Sequence, residues 1–167
     1  MRIGLISDTH GYCDPRLKQY FYEVDEIWHA GDIGDTNVIR ELENWKPVRA
    51  VYGNIDDSAT REIYPEDLWL EIEGVSVWIT HIAGRPPHYL PRIRKELGRR
   101  TPAVLICGHS HICQAHRDER TGLIYLNPGA AGNQGFHRTK TIMRFTLAKK
   151  TFSDLEVIEL GARGKLD

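Results

Sequence analysis

The chain has 167 residues, enough for one domain with a sizeable core. Hydrophobic residues make up 41% and charged residues 27%, the balance of an ordinary soluble globular protein and not of a disordered or fibrous one. The net charge of −1 argues against nucleic acid or an anionic membrane as partner, and no apolar run approaches the roughly 20 residues of a membrane span.

Arg2 to Ser7 reads as a first strand, buried because it lacks polar alternation. It starts at once after Met1, so no secretory leader is expected. Asp8-Thr9-His10-Gly11 follows as a loop. Asp14-Pro15 then opens a helix, with Asp14 as N-cap and Leu17, Tyr20, Phe21 and Val24 as its core face. Glu26 to Ala30 is the second strand, ending at Gly31-Asp32. Thr36 to Asn44 reads as a helix with Val38, Ile39 and Leu42 inward, and Val48 to Tyr52 as the third strand before Gly53-Asn54.

Leu68 to Glu73 and Val75 to Thr80 alternate in polarity around Gly74 and suggest a hairpin that delivers His81. Three prolines and a glycine make residues 82–91 a loop, and Arg92 to Arg100 reads as a helix with a basic face. Ala103 to Cys107 is another buried strand, delivering Gly108-His109-Ser110-His111. Cys113 to Asp118 and Leu123 to Leu126 form a second hairpin, Asn127-Pro128-Gly129 breaks the chain, and Thr141 to Leu147 and Ser153 to Leu160 close it. This β-α-β-α-β start followed mostly by strands favours a layered α/β architecture of two packed sheets with helices outside. Cys13, Cys107 and Cys113 are odd in number and form no CxxC pair, so they read as free thiols in a reducing cytoplasm.

Five strand ends therefore carry ligand-type residues: Asp8 and His10, Asp32, Asn54, His81, and His109 with His111. Sites in open α/β sheets form beyond the carboxyl ends of strands, so all five can converge. Two Asp, one Asn and four His are too few for two closed cages but suit two neighbouring ions that share a carboxylate. Asp32 is the choice for the shared ligand, since a carboxylate can bridge where an imidazole cannot. Mixed N and O donors without thiolate suit manganese first, with nickel, cobalt, iron or zinc as alternatives. Two such ions clamp a phosphoryl group and turn a bridging water into a nucleophilic hydroxide at neutral pH, so phosphoester hydrolysis is the natural reaction.

Asp8-Thr9-His10, Gly31-Asp32-Ile33-Gly34-Asp35, Gly53-Asn54-Ile55-Asp56, His81 and Gly108-His109-Ser110-His111 resemble, in order, the motifs of the calcineurin-like metallophosphoesterase superfamily. The short chain and the Asn127-Pro128-Gly129 turn resemble its small YfcE-like phosphodiesterase branch. The resemblance implies a four-layer αββα sandwich of two mixed β-sheets flanked by helices. It implies one ion on Asp8, His10, Asp32 and His111, and another on Asp32, Asn54, His81 and His109. It also makes Asp32, Asn54 and His109 catalytic, with Asn54 and the ions holding phosphate oxygens. The position that often holds a general-acid histidine is Ile55 here, a departure shared by that branch. The expected activity is cleavage of a small phosphodiester by a hydroxide bridging two divalent ions. Phosphomonoesterase, pyrophosphatase or nuclease activity on the same centre is the alternative. A non-catalytic scaffold of the retromer-subunit type is another, and the complete ligand set argues against it.

Other residues receive blander readings. His29 reads as a satisfied core histidine, and His116 as exposed and inert. Cys107 reads as packing, and Cys13 as structural although it follows His10 closely. His88 and Tyr89 are candidates for substrate contact, as is the glycine-rich stretch 129–135 with His137 and Arg138. The basic run Arg92, Arg94, Lys95, Arg99 and Arg100 reads as a solvated helix face, interrupted by Glu96. A homo-oligomer is compatible with the sequence.

Overall fold

The structure, a computed structural model, describes residues 1–164. In chain order its elements are β1 (Arg2–Ile6), α1 (Leu17–Tyr20), β2 (Glu26–His29), α2 (Thr36–Glu43), β3 (Val48–Ala50), α3 (Ser58–Ile63), β4 (Asp67–Ile72), β5 (Val75–Thr80), β6 (Gly84–Arg85), β7 (His88–Tyr89), α4 (Pro91–Leu97), β8 (Val104–Ile106), β9 (Cys113–Arg117), β10 (Ile124–Pro128), β11 (Thr139–Ala148) and β12 (Thr151–Ala162). One five-stranded sheet has the order β12-β11-β1-β2-β3 and the other β4-β5-β8-β10-β9. Both are mixed. β1, β2 and β3 run parallel, as do β5, β8 and β10, while β11, β12, β4 and β9 run antiparallel to their neighbours.

Period-two alternation decides the layering. Ile3, Leu5 and Trp28 point from the first sheet into one central core, where they meet Val77, Ile79, Val104, Ile106 and Leu126 of the second. The alternate residues point outward. Ile6 and Ile27 pack under Leu17, Phe21, Val38, Ile39 and Leu42 of the α1 and α2 region. Trp78, Leu105 and Tyr125 pack under Ile93 and Leu97 of α4. Strands covered on both faces need apolar side chains at every position, which is why the sequence shows continuous runs there. The observed architecture is the expected αββα sandwich.

Several local expectations change. Asp14 does not cap α1: the N-cap is Arg16, and the Asp14 carboxylate instead takes the Arg16 backbone N–H at 3.0 Å and the Lys140 ammonium at 2.8 Å. The helix is then only four residues long, although Leu17, Phe21 and Val24 are buried as expected. A helix missed in the sequence, α3, is capped by the Asp57 side chain on Thr60 N at 2.8 Å. Residues 82–91 hold the short β6–β7 pair. β10 runs on through Pro128, so the break comes at Gly129, with φ of 76°. The basic face of α4 is mostly neutralised: Arg92 pairs with Asp67 at 2.6 Å, and Arg99 and Arg100 pair with Glu96 at 3.6 and 3.1 Å.

All three cysteines are free. Cys13 lies beside Glu41, and burial pushes its thiol up to about 12. No helix among the described residues is long and apolar enough to cross a membrane.

Candidate metal centre

The carboxyl ends of β1, β2 and β3 deliver Asp8, His10, Asp32 and Asn54 from one sheet. Those of β5 and β8 deliver His81, His109 and His111 from the other. Backbone hydrogen bonds carry the parallel pairing past the strands and fix the loops. Asp8 N donates to Gly31 O at 3.0 Å, His10 N to Asp32 O at 3.1 Å, and Gly108 N to His81 O at 3.0 Å. Gly132 N donates to Asp8 O at 3.1 Å, where the chain returns from the second sheet to the first.

Six of the seven donors fall into two groups of three, Asp8 with His10 and His111, and Asp32 with His81 and His109. Asn54, exposed, lines a cavity beside His81. The Asp32 carboxylate faces both groups. Its Oδ1 lies 3.2 Å from His81 Nε2 and its Oδ2 lies 3.9 Å from His10 Nε2. Asp8 Oδ1 lies 3.1 Å from His111 Nε2 and 4.0 Å from His81 Nε2. No side chain can be inserted behind this carboxylate: a Cβ on Gly53 would lie 2.1 Å from Asp32 Oδ1.

Five of these donors sit on left-handed backbone, with φ of 54° at Asp8, 49° at His10, 54° at Asp32, 66° at His109 and 56° at His111. Such a conformation in a non-glycine residue costs of order 1–3 kcal/mol and persists only where surroundings over-determine it. The surroundings are visible. Asp56 is buried, and its carboxylate accepts from Ile33 N at 3.1 Å, Gly34 N at 2.7 Å and Gly53 N at 2.7 Å. It ties the Asp32 loop to the Asn54 loop. Asn127 does the same for the last loop, donating to Gly108 O at 2.7 Å and to Ser110 Oγ at 3.1 Å. His29 holds two loops at once. Its Nδ1 accepts from Gly31 N at 3.2 Å, so Nε2 donates to Thr9 Oγ1 at 2.9 Å, and Thr9 donates to Ile33 O at 3.0 Å.

The tautomers of two candidate ligands follow from their outer partners. His81 Nδ1 donates to Ala30 O at 2.7 Å, which leaves a lone pair on Nε2. His137 Nε2 lies 3.0 Å from Gly132 O, a group that only accepts, so Nε2 carries the proton and Nδ1 the lone pair. His111 Nδ1, 3.2 Å away, must then donate, and its Nε2 lone pair points inward. Burial lowers the pKa of His10, His109 and His137 and favours their neutral forms. At His81 burial acts downward, but the facing carboxylates of Asp32 and Asp8 outweigh it and the net shift is upward.

These residues fit divalent ions. Asp8 Oδ1 and His81 Nε2 are buried without a hydrogen-bond partner. His10 Nε2 and His111 Nε2 approach to 3.3 Å. Lone pairs and carboxylate oxygens crowded together without protons between them are stabilised by a cation.

A family model described as the calcineurin-like phosphoesterase superfamily domain matches residues 1–150. The chain belongs to that superfamily. A probable metallophosphoesterase of Methanothermobacter thermautotrophicus is 35% identical over 136 residues, covering 78% of this chain and 77% of the relative. Among solved structures, an archaeal phosphodiesterase superposes with a TM-score of 0.72 at 24% identity, over 96% of this chain and 100% of the other. Vps29 from Entamoeba histolytica, solved with Zn²⁺, superposes with a TM-score of 0.72 at 16% identity, over 95% and 99%.

Within this calcineurin-like phosphoesterase the remaining candidates separate. His88 is exposed and lines a cavity that His109 also lines, whereas Tyr89 is buried and donates to Asp118 Oδ2 at 2.9 Å. His116 is exposed, its ring stacked on Tyr125 at 5.0 Å. Ile55, at the departing motif position, is 46% exposed, and its backbone N–H donates to Asp32 Oδ1 at 3.0 Å. Sequence reasoning gave no role to Asp56 or Asn127 and aimed His137 at the phosphate. Asp56 was within the quoted motif, which was its only signal. Nothing local links His137 to His111.

Proposed function

We propose that this metallophosphoesterase is a two-metal phosphodiesterase. The observation that carries the proposal is the Asp32 carboxylate, with one oxygen turned to His81 and the other to His10. In this reading Asp8, His10, Asp32 and His111 hold one ion, and Asp32, Asn54, His81 and His109 hold the other. Four imidazoles among the donors favour manganese, nickel, cobalt, iron or zinc over magnesium or calcium. Bound there, the ions would supply Lewis acidity and lower the pKa of a shared water. The chain's own residues do the rest. The Asn54 amide donates to a phosphoryl oxygen, Asp56 and Asn127 keep the loops in register, and the His111 and His81 tautomers keep their lone pairs inward. The substrate is a small phosphodiester.

Metal analysis of the purified protein, paired with hydrolysis of an aryl phosphodiester before and after chelation, tests this. Chelation should abolish turnover and Mn²⁺, Ni²⁺ or Co²⁺ should restore it. Asp32→Asn should disturb both ions, and Asn54→Ala mainly one. Unchanged turnover in the chelated protein would sink the mechanism.

A further inference from the structure

Two cavities adjoin the candidate centre, and their chemistry differs. The smaller, about 330 Å³, is walled by Tyr52, Asn54, Arg61, Glu66, Thr80 and Arg92 beside His81. The larger, about 630 Å³, is walled mainly by Ile82, Ala83, Leu90, Ile112 and Tyr125 beside His109. Arg85, His88, Ser110 and Gln114 are its polar lining. Ile82 and Leu90 line both and form the partition.

A phosphodiester has two ester arms. Where the phosphoryl group is held at the centre, the arms meet unlike surroundings. The aliphatic and aromatic walls of the larger cavity gain from being covered by an apolar arm, while Arg85, Ser110 and Gln114 offer polar groups to its edge. Its volume falls within the range of small-molecule sites. Leu90 and Ile112 are 42% and 56% exposed, which leaves apolar surface at the mouth for a ligand to cover. The floor is preorganised. Tyr125 accepts from Cys107 Sγ at 3.0 Å and donates to Gly84 O at 2.9 Å, which pins the β6–β7 hairpin over the sheet. Tyr89 anchors the other strand of that hairpin through Asp118.

We infer that the larger cavity is a subsite for a flat apolar arm, of aryl or nucleobase size, and that the preferred substrates are unsymmetrical phosphodiesters with a small polar second arm. This rests on the phosphodiester reading above and names the substrate class for it. His88, Arg85, Ser110 and Gln114 carry polar groups into the lining and are placed to meet the polar rim of such a ring.

The test is calorimetric titration of the metal-loaded protein with non-hydrolysable methylphosphinates, joined to both arms by P–C bonds and bearing methyl, phenyl or naphthyl as the second arm. The phenyl compound should bind about tenfold tighter than the methyl one, and the naphthyl compound tighter again. Equal affinity across the three overturns the subsite. Ile112→Asp should collapse the naphthyl-to-methyl ratio and Ile112→Leu should keep it; a ratio unchanged in Ile112→Asp places the apolar arm elsewhere and also overturns it. Hydrolysis of the matching diesters runs in parallel. Selective binding without turnover keeps the subsite and removes the phosphodiesterase reading, while turnover with flat affinities does the reverse.

Discussion

His111 and His137 face each other Nδ1 to Nδ1 at 3.2 Å, and the contact decides which His111 nitrogen looks into the centre. His137 is itself fixed by Gly132 O. Removing it frees His111 to rotate or to move its proton inward. His137→Ala should weaken binding of the ion held by His111 by about 10–100-fold, as loss of an outer partner typically does. Competition with a chelating dye reads this directly. His137→Gln, which can still offer an acceptor oxygen, should recover part of the loss. Equal affinity in all three proteins would mean that the contact orients nothing.

Asp56 satisfies three backbone N–H groups with one carboxylate. Hydrogen bonds to a charged acceptor contribute about 1.5–3 kcal/mol each, and donors left unpaired in the interior add to the loss. Asp56→Ala should therefore cost about 3–5 kcal/mol in urea unfolding. A midpoint within error of the parent would show that the two loops hold without this clamp.

His29 gives stability a pH dependence with a definite sign. Burial holds its pKa down at about 4, against the opposing pull of Asp56, Asp8 and Asp32 and with the help of His81. The unfolded chain takes up this proton below about 6.5. Its contribution is thus complete above that pH and is lost as pH falls toward 4. At about pH 5 the loss is roughly 2 kcal/mol. Unfolding of the chelated protein at about pH 7.5 and about pH 5 gives the parent's drop. His29→Asn should show a smaller one, and an identical drop would remove His29 from the account.

Ile55 has no proton to give a departing alkoxide. A positioned general acid contributes ~10²–10⁴-fold. Turnover should therefore depend steeply on leaving-group pKa, with aryl diesters cleaved far faster than alkyl ones. A Brønsted series on the parent and on Ile55→His measures it. The slope should flatten in the variant if the new imidazole reaches the leaving oxygen. A shallow slope in the parent would assign the proton to another group, and His88 in the larger cavity is the first to examine.

The layering was legible because central strands such as β1 and β8 are apolar on both faces, and the donors were legible because each follows a strand end. α3 was not: six residues are too few to show a helical period, and its Asp57 cap looked like one more loop residue. The cap expected at Asp14 went wrong because Lys140, 126 residues away, claims the same carboxylate. The pairing of Arg92 in the basic run with Asp67 was hidden because Asp67 lies 25 residues away on β4. The His137 contact spans 26 residues with no pattern between. What the sequence concealed was long-range pairing of single polar groups, which periodicity does not encode.

The left-handed backbone at five of the donors changes what an alanine scan of them would measure. Alanine removes the donor but still resists positive φ, whereas glycine removes the donor and releases the backbone. At Asp8, His10, Asp32, His109 and His111 the glycine variants should be the better folded of each pair, the reverse of the order expected in a regular strand. His81 has ordinary backbone and should keep that usual order. A scan that used alanine alone would credit chemistry with a loss that belongs partly to the main chain.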